Sequence, residues 1–241
     1  MSEHKHIVNA FEQEIEALKA RIIEMGGLTE RLVTDAVSAL DTRDVELGAR
    51  TIASDKRIDD METEIEEQAI MMLARRQPLA GDLREVMAAM RIASNLERIG
   101  DLAKNIAKRT AAIGTERQPR QVSRGVNHMA GLALLQLRDV LNACVSRDAA
   151  KAVAVRSRDG EIDALYNSLF RELLTYMMED PRSITMATHL LFCAKNIERI
   201  GDHATNIAET IYYLVTGNRL TGEREKDDSH NYATVPFGPA V

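Results

Sequence analysis

The sequence predicts an all-α protein made of two tandem three-helix bundles that are related by an internal repeat. Of its 241 residues, 45% are hydrophobic and 28% are charged, which is typical of a soluble globular protein. There is no Trp and aromatic residues reach only 4%, while Ala, Leu, Ile and Met are frequent, and this favours helices over strands. A long internal repeat then favours two similar halves over one large domain.

The repeat is clearest in two stretches of fourteen residues. NLERIGDLAKNIAK occupies 95–108 and NIERIGDHATNIAE occupies 196–209, and ten of the fourteen positions are identical. A second pair, TRDVELGARTIASDKRIDDME at 42–62 and SRDAAKAVAVRSRDGEIDALY at 146–166, extends the similarity. A whole supersecondary unit is therefore duplicated, and not one helix alone.

Apolar periodicity and helix-breaking residues predict three helices in each half. The six helices are expected at 6–41, 44–76, 82–113, 120–145, 148–179 and 184–216. The short connections DTRD and VSRD predict antiparallel neighbours, because short links join adjacent helices in bundles. Pro78 and Pro181 each stand shortly before the third helix of their half, where a proline ends one helix and opens the next.

These helices define the expected domains. The first bundle covers 6–113 and the second covers 120–216, joined by GTERQPR at 114–120, whose Gly, Pro and charged residues are typical of a boundary. The segment 217–241 is polar with Gly and Pro, and it is expected to be a disordered tail.

Charge and hydropathy exclude several classes of partner. The formal net charge is −6 and basic residues are not strongly clustered, which argues against nucleic acid as a partner. No run of eighteen apolar residues could span a bilayer, and the first residues do not resemble a signal peptide. A cytoplasmic protein is expected.

The repeated stretch carries oxygen-bearing side chains at regular helical spacing. A helical wheel places an apolar stripe toward the core, formed by Ile92, Leu96, Ile99, Ala103 and Ile106. Glu97, Asp101 and Asn105 fall roughly opposite that stripe and are expected to face outward, as are Glu198, Asp202 and Asn206 in the second half. Gly100 and Gly201 are poor helix formers, so another helix is expected to approach closely there.

The second helix of each half offers a matching acidic row. Its members are Asp55, Asp59, Glu62 and Glu66 in the first half and Asp159 and Asp163 in the second. Like charges at this spacing repel, and a cation between two such rows would turn repulsion into coordination. Hard cations take carboxylate and amide oxygens and require no Cys or His. A single row of this kind is more often a solvated surface, whereas two rows in both halves favour metal binding. For His203, a packed or interface role is favoured over ligation.

Five segments together resemble the PhoU family of bacterial phosphate-signalling regulators. They are the two ERIGD motifs, the RRQP turn, LREVM at 83–87 and LTYMMED at 174–180, and the likeness runs from about residue 8 to 216. The resemblance implies two three-helix bundles whose Glu-x-x-x-Asp rows bind multinuclear metal clusters. It assigns the motif itself to Glu97, Asp101, Glu198 and Asp202, and the acidic positions of the preceding helices to Asp55, Asp59, Asp159 and Asp163. Glu62, from the acidic row of the first half, is a further candidate metal ligand.

The resemblance also implies a biological role. It implies a non-enzymatic adaptor that holds the phosphate-starvation response off by linking the phosphate ABC transporter, through its ATPase, to a sensor histidine kinase. The protein is expected to be a homodimer that is peripheral to these membrane complexes. The metal is left open among iron, zinc, manganese and magnesium, and Asn105, Asn206 and Glu209 are possible additional ligands.

The two halves differ where they are compared position by position. Tyr166 and Phe170 stand where the first half has Glu62 and Glu66, so the two sites need not hold the same cluster. Lys104 and Lys108 lie beside the first motif, where the second half has Thr205 and Glu209. Because positive charge repels a cation, the second site is expected to hold metal more tightly.

Two other function classes remain open at this point. A ferritin-like di-metal enzyme also builds carboxylate sites on helices, but it needs two Glu-x-x-His motifs, and the only such spacing here is Glu3 and His6. A metal-free helical chaperone is the other alternative. A hydrolase is not expected, because no Ser/His/Asp or Cys/His constellation and no phosphate-cradling Gly-rich loop can be placed.

Overall fold

A computed structural model describes the backbone of residues 2–113 and 120–221, with side chains from residues 11 and 121 onward. Within these ranges the protein is all-α, without a β-strand, which confirms the predicted fold class. The α-helices are α1 (Ser2–Thr42), α2 (Val45–Ser54), α3 (Lys56–Arg76), α4 (Ala80–Ile113), α5 (Arg120–Ser146), α6 (Ala149–Ser157), α7 (Asp159–Glu179) and α8 (Ile184–Thr216). A 3₁₀ turn at Pro181–Ser183 precedes α8.

The second predicted helix of each half is broken in the structure, which corrects the expectation of six uninterrupted helices. The first half breaks at Asp55, between α2 and α3, and the second breaks at Arg158, between α6 and α7. At both junctions the backbone makes tighter i→i+3 hydrogen bonds, from Ile58 N to Asp55 O (2.8 Å) and from Glu161 N to Arg158 O (3.2 Å). Each half still consists of three helical rods, the second of which is kinked.

The turn before each kinked rod is the same in both halves. Asp44 caps α2 by accepting a hydrogen bond from Leu47 N (2.8 Å), and Asp148 caps α6 by accepting one from Lys151 N (3.0 Å). The residue before each cap has positive φ, 58° at Arg43 and 51° at Arg147. The repeated letters Arg-Asp therefore encode a repeated turn.

The two motif helices, α4 and α8, lie at the centre of the molecule. They pack against each other, and each also contacts the other helices of its own half. The predicted apolar stripe of α4 is fully buried, and its counterparts on α8, Ile197, Ile200 and Ile207, are buried as well. The two halves therefore share one continuous core.

The chain leaves the second half through a glycine. Gly217 ends α8 in the left-handed conformation (φ 73°), and its N–H donates to Tyr213 O at 2.9 Å. The predicted link covers 114–120, and residues 114–119 of it lie outside the described part. The predicted disordered tail covers 217–241, and its residues from 222 onward also lie outside the described part.

Gly100 and Gly201 are sites of close helix approach, as the sequence predicted. A Cβ added at Gly100 would lie 3.1 Å from Asp55 Oδ1 and 3.2 Å from Ile58 Cδ1. A Cβ at Gly201 would lie 2.9 Å from Ile162 Cδ1 and 3.2 Å from Gln136 Oε1. Side chains from the kinked rod thus pack directly onto the backbone of the motif helix in both halves.

This packing predicts opposite effects of two glycine substitutions. Gly201→Ala is expected to lower the free energy of unfolding by about 1 to 3 kcal/mol, because the added methyl group overpacks the core. The matched control is Gly131→Ala on α5, where nothing lies within 4 Å of the added carbon. That change is expected to stabilise the helix by up to about 1 kcal/mol. Thermal unfolding of the two variants checks this, and equal shifts in Tm would show that the approach at Gly201 is not tight.

Candidate metal centre

The kink in the second rod of the first half brings a buried carboxylate against the motif helix. Asp55 is the junction residue, and only 2% of it is exposed. The Lys104 ammonium on α4 donates to Asp55 Oδ2 and also to Asp101 Oδ1, at 2.7 Å. Asp55 Oδ1 is buried and has no hydrogen-bond partner. A cationic group of the chain itself therefore lies between the two acidic rows.

The electrostatics of this cluster follow from burial and from Lys104. Burial raises the pKa of Asp55, against the opposing effect of Lys104 and with added repulsion from neighbouring carboxylates. Burial also acts to raise the pKa of Asp101, but the hydrogen bond and charge of Lys104 outweigh it and the pKa falls. The pKa of Lys104 is raised, because its hydrogen bonds to Asp101 and Asp55 outweigh the cost of burying its charge. The cluster thus keeps Lys104 charged.

Glu97, one turn before Asp101, is held in a different state. Its side chain is 17% exposed, and burial, followed by repulsion from Asp101, raises its pKa to about 7. Near neutral pH the Glu97 carboxyl group is therefore protonated in a sizeable fraction of molecules. The expectation that Glu97 and Asp101 face outward is wrong, because both side chains are partly buried toward the kinked rod.

The other candidate residues of the first half lie farther out. Asp59 and Asn105 are exposed, and Glu62 is half-buried. Glu62 and Glu66 line a cavity of about 250 Å³ with Met90 and Arg91. Lys108, which the sequence placed beside the motif with Lys104, is exposed.

The second half has the same kink but a different partner for its buried acid. Asp159 is 5% exposed, and its Oδ1 accepts a hydrogen bond from Thr205 Oγ1 at 3.0 Å. Thr205 occupies the position of Lys104 in the repeat, so a hydroxyl group replaces an ammonium group. The Lys104 position of the repeat therefore supplies a different kind of donor to the junction acid in each half.

Glu198, the first motif residue of the second half, is buried on α8. Its Oε1 accepts a hydrogen bond from Lys195 Nζ at 2.9 Å, and its Oε2 is buried without a hydrogen-bond partner. The Lys195 ammonium also lies 5.0 Å from the centroid of the Tyr166 ring, which stands where the first half has Glu62. Lys195 thus contacts the second site from its outer edge.

The remaining candidates of the second half are half-buried. Asp163 and Asp202 both belong to this class. Glu209 Oε1 accepts from Arg156 Nε at 3.2 Å, so this possible ligand is engaged in an ion pair. Asn206 donates to Asn95 Oδ1 of the other half at 3.4 Å. His203 Nδ1 lies 2.9 Å from the same oxygen, which places His203 in the interface between α4 and α8.

Sequence reasoning missed two residues of the site. The sequence indicates Lys104 only as a charge near the motif, whereas in the structure it directly contacts Asp55 and Asp101. Its spacing of three residues from Asp101 on one helix is the sequence signal for that contact. Gln136 was not considered, although it is buried on α5 with its Oε1 beside Gly201. Its signal was a polar residue flanked at helical spacing by the apolar positions Ala133 and Val140.

The second half offers oxygen donors of the kind that hard cations take, but the described carboxylates are not gathered into a metal cluster. Its oxygens come from carboxylates, a hydroxyl and an amide, and Glu198 Oε2 is a buried acceptor without a donor. Among the residues that the structure describes, no three His, Cys, Asp or Glu side chains are gathered closely enough to hold a metal ion. The described carboxylates therefore do not by themselves form a metal-binding cluster.

The fold and the site define a class of all-α protein with two repeated helical bundles. In each bundle, a helix that carries a Glu-x-x-x-Asp motif packs against the kink of a neighbouring rod. The model of the PhoU domain matches the chain twice, over residues 22–110 and 126–211. The chain belongs to the PhoU family.

Individual relatives agree with this assignment along nearly the whole chain. A protein of Rhizobium meliloti named phosphate-specific transport system accessory protein PhoU homolog is 59% identical over 225 residues, which is 93% of this chain and 95% of the relative. A Caulobacter vibrioides protein of the same name is 48% identical over 93% of this chain and 97% of the relative.

A solved structure shows the same fold. The crystal structure of PhoU from Pseudomonas aeruginosa superposes with a TM-score of 0.84 at 38% identity, covering 86% of this chain and all of that one. In the described part of this chain, no helix is both long and apolar enough to cross a bilayer.

The contacts of Lys104 predict a specific loss of stability. Lys104→Thr gives the first half the residue of the second, and it leaves Asp55 buried without its cation. The free energy of unfolding is expected to fall by about 2 to 3 kcal/mol, because removing one partner strands a buried charge. The matched control is Lys108→Thr, an exposed lysine one turn farther along α4. Tm measurements in chelator at pH 7.5 compare the two. Equal Tm values for the two variants would contradict the role given to Lys104.

Proposed function

We propose that this protein is a non-enzymatic, metal-binding adaptor that negatively regulates the phosphate-starvation response and phosphate uptake. The observation that carries the proposal is membership of the PhoU family over both halves, with relatives named as accessory proteins of a phosphate-specific transport system. The repeated helical surfaces supply binding faces, and the two acidic clusters supply a place for metal. The adaptor acts through contacts and not through turnover.

The partners in this proposal follow from the family. The protein links the ATPase of the phosphate ABC transporter to a sensor histidine kinase, and it does so as a cytoplasmic homodimer that is peripheral to the membrane complexes. The absence of a membrane-spanning helix in the described residues agrees with a peripheral position. The ferritin-like alternative gains no support, because that class needs two Glu-x-x-His motifs and the sequence has this spacing only at Glu3 and His6.

The metal is assigned mainly to the second half. The proposed ligands are Asp159, Asp163, Glu198 and Asp202, and Thr205 donates a hydrogen bond to Asp159. The bound cation would supply positive charge between α7 and α8, as Lys104 does between α3 and α4. In the first half, metal binding requires Lys104 to move away from Asp55 and Asp101.

A deletion strain tests the regulatory role. Removing the gene from its host is expected to make phosphate-starvation genes active in phosphate-rich medium, and a plasmid copy of the intact chain is expected to switch them off again. A reporter fused to a starvation-induced promoter measures this. The control is a copy with Glu67→Gln, which changes an exposed residue of α3 and should complement fully. Normal repression without the gene would refute the proposal.

Metal content tests the inequality of the two sites. Asp202→Ala is expected to lose more bound metal than Asp101→Ala under limiting metal, because the first site already contains an ammonium group. Elemental analysis after purification without affinity-column metal gives the content of each variant. The reverse order would show that Lys104 does not exclude metal.

A further inference from the structure

A small groove lies where the first turns of α4 meet the last turns of α8. Its cavity has a volume of about 150 Å³ and is lined from α4 by Leu83, Arg84, Met87 and Arg91, and from α8 by Thr210 and Tyr213. We call it the arginine groove. None of these six residues belongs to the two acidic clusters, so the proposed metal site leaves the groove without a role.

The two arginines of the groove have no acidic partner among the described residues. No described carboxylate lies within ion-pair distance of Arg84 or Arg91, and Arg84 Nε is buried without a hydrogen-bond partner. Leaving a buried donor unpaired costs about 1 to 3 kcal/mol, so an acceptor from outside the chain would stabilise this guanidinium group.

The position of Arg84 has one explanation within the chain. Its Nη1 lies 3.5 Å from the place that a Cβ at Gly217 would take, beside the carboxyl end of α8. A cation at this end of a helix interacts favourably with the helix dipole. That interaction accounts for the location of Arg84, but it gives Nε no acceptor and does not involve Arg91.

The repeat shows what occupies the same place at the other end of the α4–α8 pair. With the two motif stretches aligned, Arg91 corresponds to Phe192 and Thr210 corresponds to Arg109. The Arg109 guanidinium carbon lies 4.3 Å from the centroid of the Phe192 ring, and Arg109 Nη1 lies 3.2 Å from His189 Nδ1. In the arginine groove a short threonine replaces that arginine. One end is therefore filled by a cation of the chain, whereas the other keeps a cavity lined by cations.

The face of α4 beside the arginines is apolar and exposed. Leu83 is 40% exposed and Met87, one helical turn later, is 38% exposed. Met87 and Arg91 also line the cavity of about 250 Å³ on the side of α3, so recesses lie on both sides of this ridge. Methionine adapts its shape and is common on surfaces that bind other proteins. An apolar ridge between two recesses favours a protein segment over a free ion as the occupant.

We propose that the arginine groove, with its ridge of Leu83 and Met87, is a docking site for a segment of another protein in which acidic residues stand beside apolar ones. The acidic side chains pair with Arg84 and Arg91, and the apolar side chains cover the ridge. Charge selects this occupant, because two guanidinium groups without acidic partners repel a basic segment and bind carboxylates through paired hydrogen bonds. The inference rests on the proposed adaptor function and assigns one of its partners to the first turns of α4.

Binding of the full chain to its two proposed partners tests this inference. The purified transporter ATPase and the purified sensor kinase are each titrated with the protein. The double variant Arg84→Glu/Arg91→Glu is expected to weaken binding of one partner by about 10- to 100-fold, because like charges then face each other. Arg84→Gln/Arg91→Gln is expected to weaken the same partner less. Met87→Ser is expected to weaken it without any change of charge.

A charge-matched control changes two exposed basic residues on other helices. Arg124→Glu/Lys151→Glu, on α5 and α6, alters the net charge by the same amount and is expected to leave both affinities unchanged. Because Arg84 is half-buried, the Tm of each variant is compared with that of the unchanged chain. Arg91 is exposed, so Arg91→Glu alone decides the test if the double variant does not fold.

Several results would overturn the proposal. If folded Arg91→Glu and the double variant bind both partners as tightly as the unchanged chain does, the groove is not a docking site, although the adaptor function stands. If neutral and reversed charges weaken binding equally, the docked segment is not acidic. If the unchanged chain binds neither partner, the proposed function fails together with this inference.

Two further measurements exclude other occupants of the groove. Sedimentation of the protein alone shows whether charge reversal changes its oligomeric state; a change without loss of either partner would assign the groove to a second copy of the chain. Calorimetric titration with inorganic phosphate detects a free anion. Binding of phosphate that the double variant loses, with both partners still bound, would make the groove an ion site and overturn the proposal.

Discussion

The close approach between each kinked rod and the glycine of its motif helix is the constraint on which the rest of the structure depends. At Gly100 and Gly201, a Cβ added to the glycine would lie only 2.9 to 3.2 Å from the nearest neighbouring side-chain atoms. This approach carries the junction acids, Asp55 and Asp159, into the interior, where a charge is costly unless it is paired. The hydrogen bonds from Lys104 and Thr205 satisfy one oxygen of each of these buried acids.

The two halves satisfy the same buried acid in different ways. In the first half the Lys104 ammonium lies between Asp55 and Asp101, so the fold supplies its own cation. In the second half Thr205 offers only a hydroxyl group, and the Gln136 amide adds another acceptor beside Gly201. The duplicated unit has thus diverged, with an ammonium group bonded to the junction acid in one half and a hydroxyl group bonded to it in the other.

The fold was predictable because it rests on patterns that sequence carries directly. Apolar spacing located α1, α4, α5 and α8, and the two motif glycines marked the close approaches. The kinks were not predictable, because Asp55 keeps helical dihedrals (φ −59°, ψ −36°) and no proline marks either junction. The nine candidate acids could be identified from the sequence. Their burial could not be predicted, because it depends on how the kinked rod packs on α4 or α8. Lys104 and Gln136 acquire their roles only through that packing.

The central claim is the proposal that metal binds mainly in the second half, because the Lys104 ammonium already lies between Asp55 and Asp101 in the first. A crystal structure of the protein grown with Mn²⁺, with anomalous scattering recorded at the manganese edge, tests it most directly. The account predicts an anomalous peak between α7 and α8, within coordination distance of Glu198 and Asp159, with Lys104 still bonded to Asp55. A peak between α3 and α4 with Lys104 displaced, and none in the second half, would contradict it.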